Sequence, residues 1–157
     1  DTERHLTDAG VNKISSGQLP KGTVLMSSRA PIGYLAISDT PVSVNQGIIA
    51  LLPDNKFGSM YLLNWLHFNM PSIKDRANGS TFLEISKKNF RPIPFLVPNS
   101  EIAAYFNEQT RSLYEKLLLN SEHIGELTRA RDTLLPKLLS GELRIPDAEK
   151  QLAEAGV

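Results

Sequence analysis

The residues best suited to bind an anionic or hydrogen-bonding partner lie in a short segment near the start of the chain. Ser27, Ser28 and Arg29 precede residues 30–33 (Ala-Pro-Ile-Gly), which places two hydroxyls and a long cation at a turn between two predicted strands. Arginine can donate two hydrogen bonds to a guanine edge or to a phosphate, and serine can bond to either group. A structural turn with Arg29 folded onto a carboxylate explains the same residues, so both interpretations stay open.

A second candidate group lies between positions 74 and 91, where five Lys or Arg residues stand against two carboxylates. Small polar residues let backbone amides approach phosphates, and lysines release counterions from them. A solvated turn with ordinary surface lysines remains the alternative. The candidates here are Arg76, Asn78, Ser80, Thr81, Lys87 and Lys88.

The turn sequence Asn45-Gln46-Gly47 adds two more candidates. Asn and Gln can each pair with an adenine edge, although such a turn can equally well just close a hairpin.

The overall charge gives little support to nucleic-acid binding. The formal net charge is +0, but residues 1–99 hold ten Lys/Arg against seven Asp/Glu, whereas residues 100–157 hold seven against ten. A basic patch on the first half therefore remains possible. The absence of cysteine and of a long apolar run favours a soluble, cytoplasmic protein with no membrane association.

Catalytic signatures are missing from the sequence. His5, His67 and His123 are dispersed, and neither a glycine-rich phosphate loop nor a nucleophile elbow is present. We therefore expect no catalysis, no metal and no cofactor in this chain.

The first hundred residues have the texture of a compact mixed or β-rich domain. Short apolar runs between turn signals predict strands at 23–27, 32–37 and 47–52. Helical spacing predicts a helix over 60–68, ended by Met70-Pro71.

The rest of the chain predicts one long helix. Asn99 and Glu101 supply a cap and an acidic first turn, Pro136 is expected to break the helix, and Gly141 suits a left-handed cap. Apolar residues at alternating steps of four and three predict a coiled-coil seam. Its polar members either specify the pairing or face solvent. The seam comprises Ile102, Phe106, Gln109, Leu113, Leu117, Asn120, Ile124, Leu127, Arg131, Leu134 and Leu138.

Several motifs, taken in order, resemble the specificity subunit of type I restriction-modification systems. They are residues 19–33, Val44-Asn45-Gln46-Gly47, residues 77–82, residues 85–90 and the ending at 129–143 (Arg-Ala-Arg-Asp-Thr-Leu-Leu-Pro-Lys-Leu-Leu-Ser-Gly-Glu-Leu). The resemblance implies an α+β target recognition domain at 1–98, N-terminally incomplete and thus part of a fragment or a half-sized subunit. A coiled-coil helix at 99–143 and a flexible tail at 144–157 would follow it.

The same resemblance implies the partners. The chain would read one half of a bipartite site on double-stranded DNA, contact a modification subunit and, through it, a restriction subunit, and self-associate through its helix. S-adenosylmethionine would bind to the modification subunit. DNA contacts are expected at Lys21 as well as at the residues named above. The alternative is a coiled-coil assembly module that does not bind DNA.

Overall fold

The computed structural model describes residues 6–14, 16–54, 56–79 and 82–154. In these ranges the elements are α1 (Asp8–Val11), β1 (Val24–Ser27), β2 (Leu35–Ile37), β3 (Ile48–Leu51), α2 (Ser59–Asp75), α3 (Lys87–Phe90), α4 (Ser100–Ser140) and α5 (Ile145–Glu154). The predicted α+β fold with a long C-terminal helix is confirmed. None of these helices is both long and apolar enough to cross a membrane.

The described strands form an antiparallel sheet in the order β2-β1-β3. The period of two along β1 buries Val24 and Met26 completely on one face, and Met26 lies opposite Ile49 of β3. The strand predicted from residue 32 begins only at Leu35, because the residues before it form the turn out of β1. Gly33 adopts a φ of +102° in that turn, and a Cβ there would lie 2.6 Å from Met70 Sδ.

Helix α2 covers the buried face of the sheet with Leu62, Trp65, Leu66 and Ile73. The prediction that this helix ends at Met70-Pro71 is wrong, since it continues to Asp75 with Pro71 inside it. An internal proline costs about 3 kcal/mol. Pro71 is exposed, and the next turn places Ile73 in the core with no exposed surface. Burial of Ile73, worth about 1.5–3 kcal/mol, therefore offsets much of the local penalty.

Helix α4 is 41 residues long, or about 60 Å at ~1.5 Å per residue. The predicted break at Pro136 is wrong because the helix continues to Ser140, and residues 131–140 are all exposed, so that water can satisfy the carbonyl that the proline leaves unbonded. The predicted cap at Gly141 is confirmed by its φ of +75°.

The chain divides into two compact units, Asp1–Ser112 and Leu113–Val157. The first turns of α4 belong to the first unit, because Ala103 is buried and the Phe106 ring lies 5.6 Å from that of Tyr61 in an edge-to-face contact. The boundary between the two units thus lies inside α4 and not at its first residue.

Candidate nucleic-acid interface

The turn that leaves β1 is held by its own hydrogen bonds. The Ser27 hydroxyl donates to the carbonyl oxygen of Pro31 (2.7 Å) and accepts from the backbone N–H of Tyr34 (2.8 Å). Both hydrogen bonds lie within the turn, so Ser27 acts first as a structural residue. The Ser28 side chain is buried, with 2% of the residue exposed, so we do not propose it as a DNA contact.

The backbone of Ser28 nevertheless organises the site. Its N–H donates to the carbonyl of Gly47 (2.8 Å), and its carbonyl accepts from the N–H of Ile85 (3.0 Å). One residue thus connects three segments that the sequence analysis selected separately: the turn after β1, the turn before β3 and the segment before α3.

Arg29 follows this junction and is exposed. Its Nη1 lies 3.8 Å from Glu84 Oε2, and the two residues form an isolated antiparallel β-bridge. On another side it lies close to Gly47, where a Cβ would be 3.2 Å from Arg29 Nε. In the chain without DNA, Arg29 therefore lies beside a carboxylate, as the structural interpretation of the turn predicts.

Asn78 is held at the surface by a backbone pairing with Glu84. The two residues exchange backbone hydrogen bonds of 3.0 and 2.9 Å. Gly79 has a φ of +136°, and a Cβ there would collide with the carbonyl oxygen of Phe82. The predicted contacts Ser80 and Thr81 lie outside the described residues.

Helix α3 carries the two predicted lysines on an exposed surface. Ser86 caps the helix by accepting from the N–H of Asn89, and Lys87 and Lys88 follow in its first turn. The Asn89 amide donates to the carbonyl of Arg76 (3.1 Å), so the end of α2, where Arg76 is exposed, is tied to α3.

Lys87 shares a concave surface with Asn45 and Gln46. This groove has a volume of about 690 Å³, and its lining also includes Lys13 and Ser43 as well as the aliphatic residues Leu6, Ile14, Val44 and Ile48. The Asn45 side chain already has a structural contact, because its Oδ1 accepts from the N–H of Gly47 (2.9 Å). The groove therefore combines two cations with amide and hydroxyl groups, as expected of a surface that contacts phosphates and base edges.

Lys21 lies apart from this cluster. It precedes β1, whereas Arg29 follows it, and its Nζ pairs with Asp39 Oδ1 at 2.6 Å. The structure thus brings together Arg29, Asn45, Gln46, Arg76, Asn78, Lys87 and Lys88, and leaves Lys21 at the other end of the strand.

Within the described ranges, no three His, Asp or Glu side chains could together hold a metal ion.

Residues 2–117 match the family described as "Type I restriction modification DNA specificity domain". The chain belongs to this family. It is 33% identical over 147 residues to the type I restriction enzyme HindI specificity subunit of Haemophilus influenzae, which covers 90% of this chain and 32% of that protein. It is 34% identical over 115 residues to the MjaIX specificity subunit of Methanocaldococcus jannaschii, covering 68% of this chain and 27% of that protein. The chain spans about a third of the length of these curated relatives.

Two residues of this DNA specificity domain were missed by sequence reasoning. In the sequence Glu84 is only one of two carboxylates in a basic stretch, and Lys13 belongs to no motif. Glu84 is 55 positions from Arg29, and Lys13 reaches the groove only through folding of the segment around α1. Neither contact has a local sequence signal.

The C-terminal part of the specificity domain's helix carries an exposed apolar face. Leu113, Leu117, Ile124 and Leu127 are each at least half exposed, and Leu134 and Leu138 are about 40% exposed. Ile102 and Asn120 are exposed as well. Phe106 differs from the other predicted seam residues, because it packs on Tyr61 within the first unit.

Proposed function

We propose that this chain reads one half of a bipartite double-stranded DNA target within a type I restriction-modification complex. In this function the chain is not catalytic and binds no cofactor; it selects the site for a modification subunit and, through that subunit, for a restriction subunit. The observation that carries the proposal is the convergence at Ser28, whose backbone joins the Arg29 turn, the Asn45-Gln46 turn and the segment leading to Lys87.

The groups at this convergence fall into two kinds. Arg29, Asn45 and Gln46 have the planar donors and acceptors that pair with base edges. Lys13, Lys87 and Lys88 are flexible cations that suit phosphates, which fix the position of a protein on DNA without reading its sequence. One surface therefore offers both the orientation and the discrimination that a half-site reader requires.

The second part of the proposal concerns assembly. The apolar face of α4 remains exposed along the second unit, where burial of a fully exposed Leu or Ile is worth about 1.5–3 kcal/mol. We infer that a second helix covers this face, and that a second copy of the chain can supply it.

The DNA part is tested by two sets of substitutions that should fail differently. Lys87→Ala with Lys88→Ala removes phosphate contacts, so affinity should fall on all DNA sequences. The slope of log affinity against log salt concentration should decrease by the equivalent of up to about two phosphate contacts. Arg29→Ala should instead cost ~1–3 kcal/mol on the cognate half-site and little on random DNA.

The assay is DNA binding by the chain assembled with its modification subunit, at several salt concentrations, on cognate and random duplexes. Lys56→Ala is the matched control, because Lys56 is exposed and follows β3 at the end away from Gly47. It should change neither affinity nor salt dependence. An unchanged ratio of cognate to random affinity in Arg29→Ala would show that the turn is only structural.

A further inference from the structure

The geometry of the Arg29–Glu84 ion pair is not explained by its contribution to folding stability alone. The two residues face each other across a β-bridge, so their side chains leave the same face of the backbone. Both side chains are accessible, at 42% and 45% exposure, and the closest N···O distance is 3.8 Å. An exposed pair at this separation contributes roughly 0–1 kcal/mol to folding. Stability is therefore a weak reason for placing a carboxylate there.

Both members of the pair are held by the surrounding backbone. The backbone of Glu84 is fixed by its two hydrogen bonds with the backbone of Asn78, and the Arg29 side chain lies close to Gly47, which has no side chain to displace it. Such support keeps a cation and a carboxylate side by side at the surface, which is the arrangement needed to meet a donor and an acceptor that are themselves adjacent.

A carboxylate at this position also opposes the simplest use of Arg29. Its negative charge repels phosphate, so Arg29 is better suited to an uncharged partner with hydrogen-bond acceptors than to the DNA backbone. In the major groove guanine offers two such acceptors, N7 and O6, and the paired cytosine offers an N4 donor. The O6 and N4 atoms are hydrogen-bonded to each other and so lie about 2.9 Å apart.

We propose that Arg29 and Glu84 together read one G·C base pair in the major groove. Arg29 donates to guanine N7 and O6, and Glu84 accepts from cytosine N4. An A·T pair also has two acceptors, adenine N7 and thymine O4, but the adenine N6 donor lies between them, so the pair does not offer Arg29 two adjacent acceptors beside a donor for Glu84. This inference rests on the proposed DNA function and names the base pair that this part of the site selects.

The test combines protein variants with base analogues in the mapped half-site, using the full chain assembled with its modification subunit. Replacing cytosine with 2-pyrimidinone removes the N4 amine, and replacing guanine with 7-deazaguanine removes N7. At one G·C position, each analogue should weaken binding of the unmodified protein by about tenfold, the lower end for a good base contact. Glu84→Ala should lose about as much on natural DNA and then be insensitive to 2-pyrimidinone. Arg29→Ala should likewise be insensitive to 7-deazaguanine.

Asp39→Ala is the matched control, because it removes another exposed carboxylate that pairs with a cation at the far end of β1. It should leave every analogue effect unchanged, and thermal melting checks that each variant is folded. Equal analogue effects in the unmodified protein and in Glu84→Ala would overturn the inference, as would a half-site with no selected G·C pair. In both cases the proposed function stands if cognate DNA is still preferred, whereas equal binding of cognate and random DNA by the unmodified protein would refute both.

Discussion

Replacing Leu117 and Ile124 with aspartate should dissociate a dimer formed through the exposed face of α4. These side chains are 51% and 65% exposed in the single chain. Burial of those fractions is worth roughly 1 and 1–2 kcal/mol, taken from about 1.5–3 kcal/mol for a whole Leu or Ile. A two-fold interface contains each residue twice, so the loss is about 4–6 kcal/mol. The dissociation constant should therefore rise by roughly a thousandfold or more.

The assay is light scattering at micromolar concentration, where the unmodified chain should have twice its 17.4 kDa monomer mass and the double variant should have the monomer mass. Leu119→Asp is the matched control. Leu119 is 49% exposed but lies about 200° around the helix from Leu117, away from the predicted seam. It should leave the dimer intact. An unmodified chain that is monomeric, or a double variant that stays dimeric with an unchanged mass, would refute this interface.

Two further predictions concern packing and subunit contact. Gly33→Ala should destabilise the first unit by about 2–3 kcal/mol, because φ is +102° and the new Cβ would meet Met70 Sδ at 2.6 Å. Thermal melting should show this loss of stability. Gly125→Ala is the control and should show no loss, because the space around Gly125 is open. Leu135 and Leu139 are 48% and 80% exposed near the end of α4, so we expect residues 134–145 to contribute apolar contacts to the modification subunit. Deletion of these residues should abolish co-purification with that subunit without lowering the melting temperature of the first unit, and an unchanged pull-down would show that the segment does not bind it.

Much of the fold could be predicted because its signals are local. The short apolar run at 23–27, the cap sequence before α4 and Gly141 each act over a few residues, and they predicted β1, the start of α4 and its cap correctly. Pro71 and Pro136 misled the prediction for a physical reason. The penalty of a proline is local, whereas the burial of Ile73 and the solvation of an exposed turn depend on the folded chain.

The candidate site shows the same division. Arg29, Asn45 and Lys87 could be selected from residue type and charge, and the structure brings them close together. Their arrangement could not be predicted, since it depends on backbone hydrogen bonds from Ser28 to Gly47 and Ile85, and on a carboxylate 55 positions from Arg29. The burial of Ser28 is likewise a tertiary property that a serine beside an arginine does not reveal.

The central claim is that this chain selects the DNA sequence. Its most direct test is a map of methylated sites in cells that express the modification subunit either with this chain or without it. With the chain present we predict methylation at one bipartite motif, and with Arg29→Ala we predict relaxed selection at one position in one half of that motif. Without the chain we predict no sequence-specific methylation. The same motif methylated in the absence of the chain would contradict the claim.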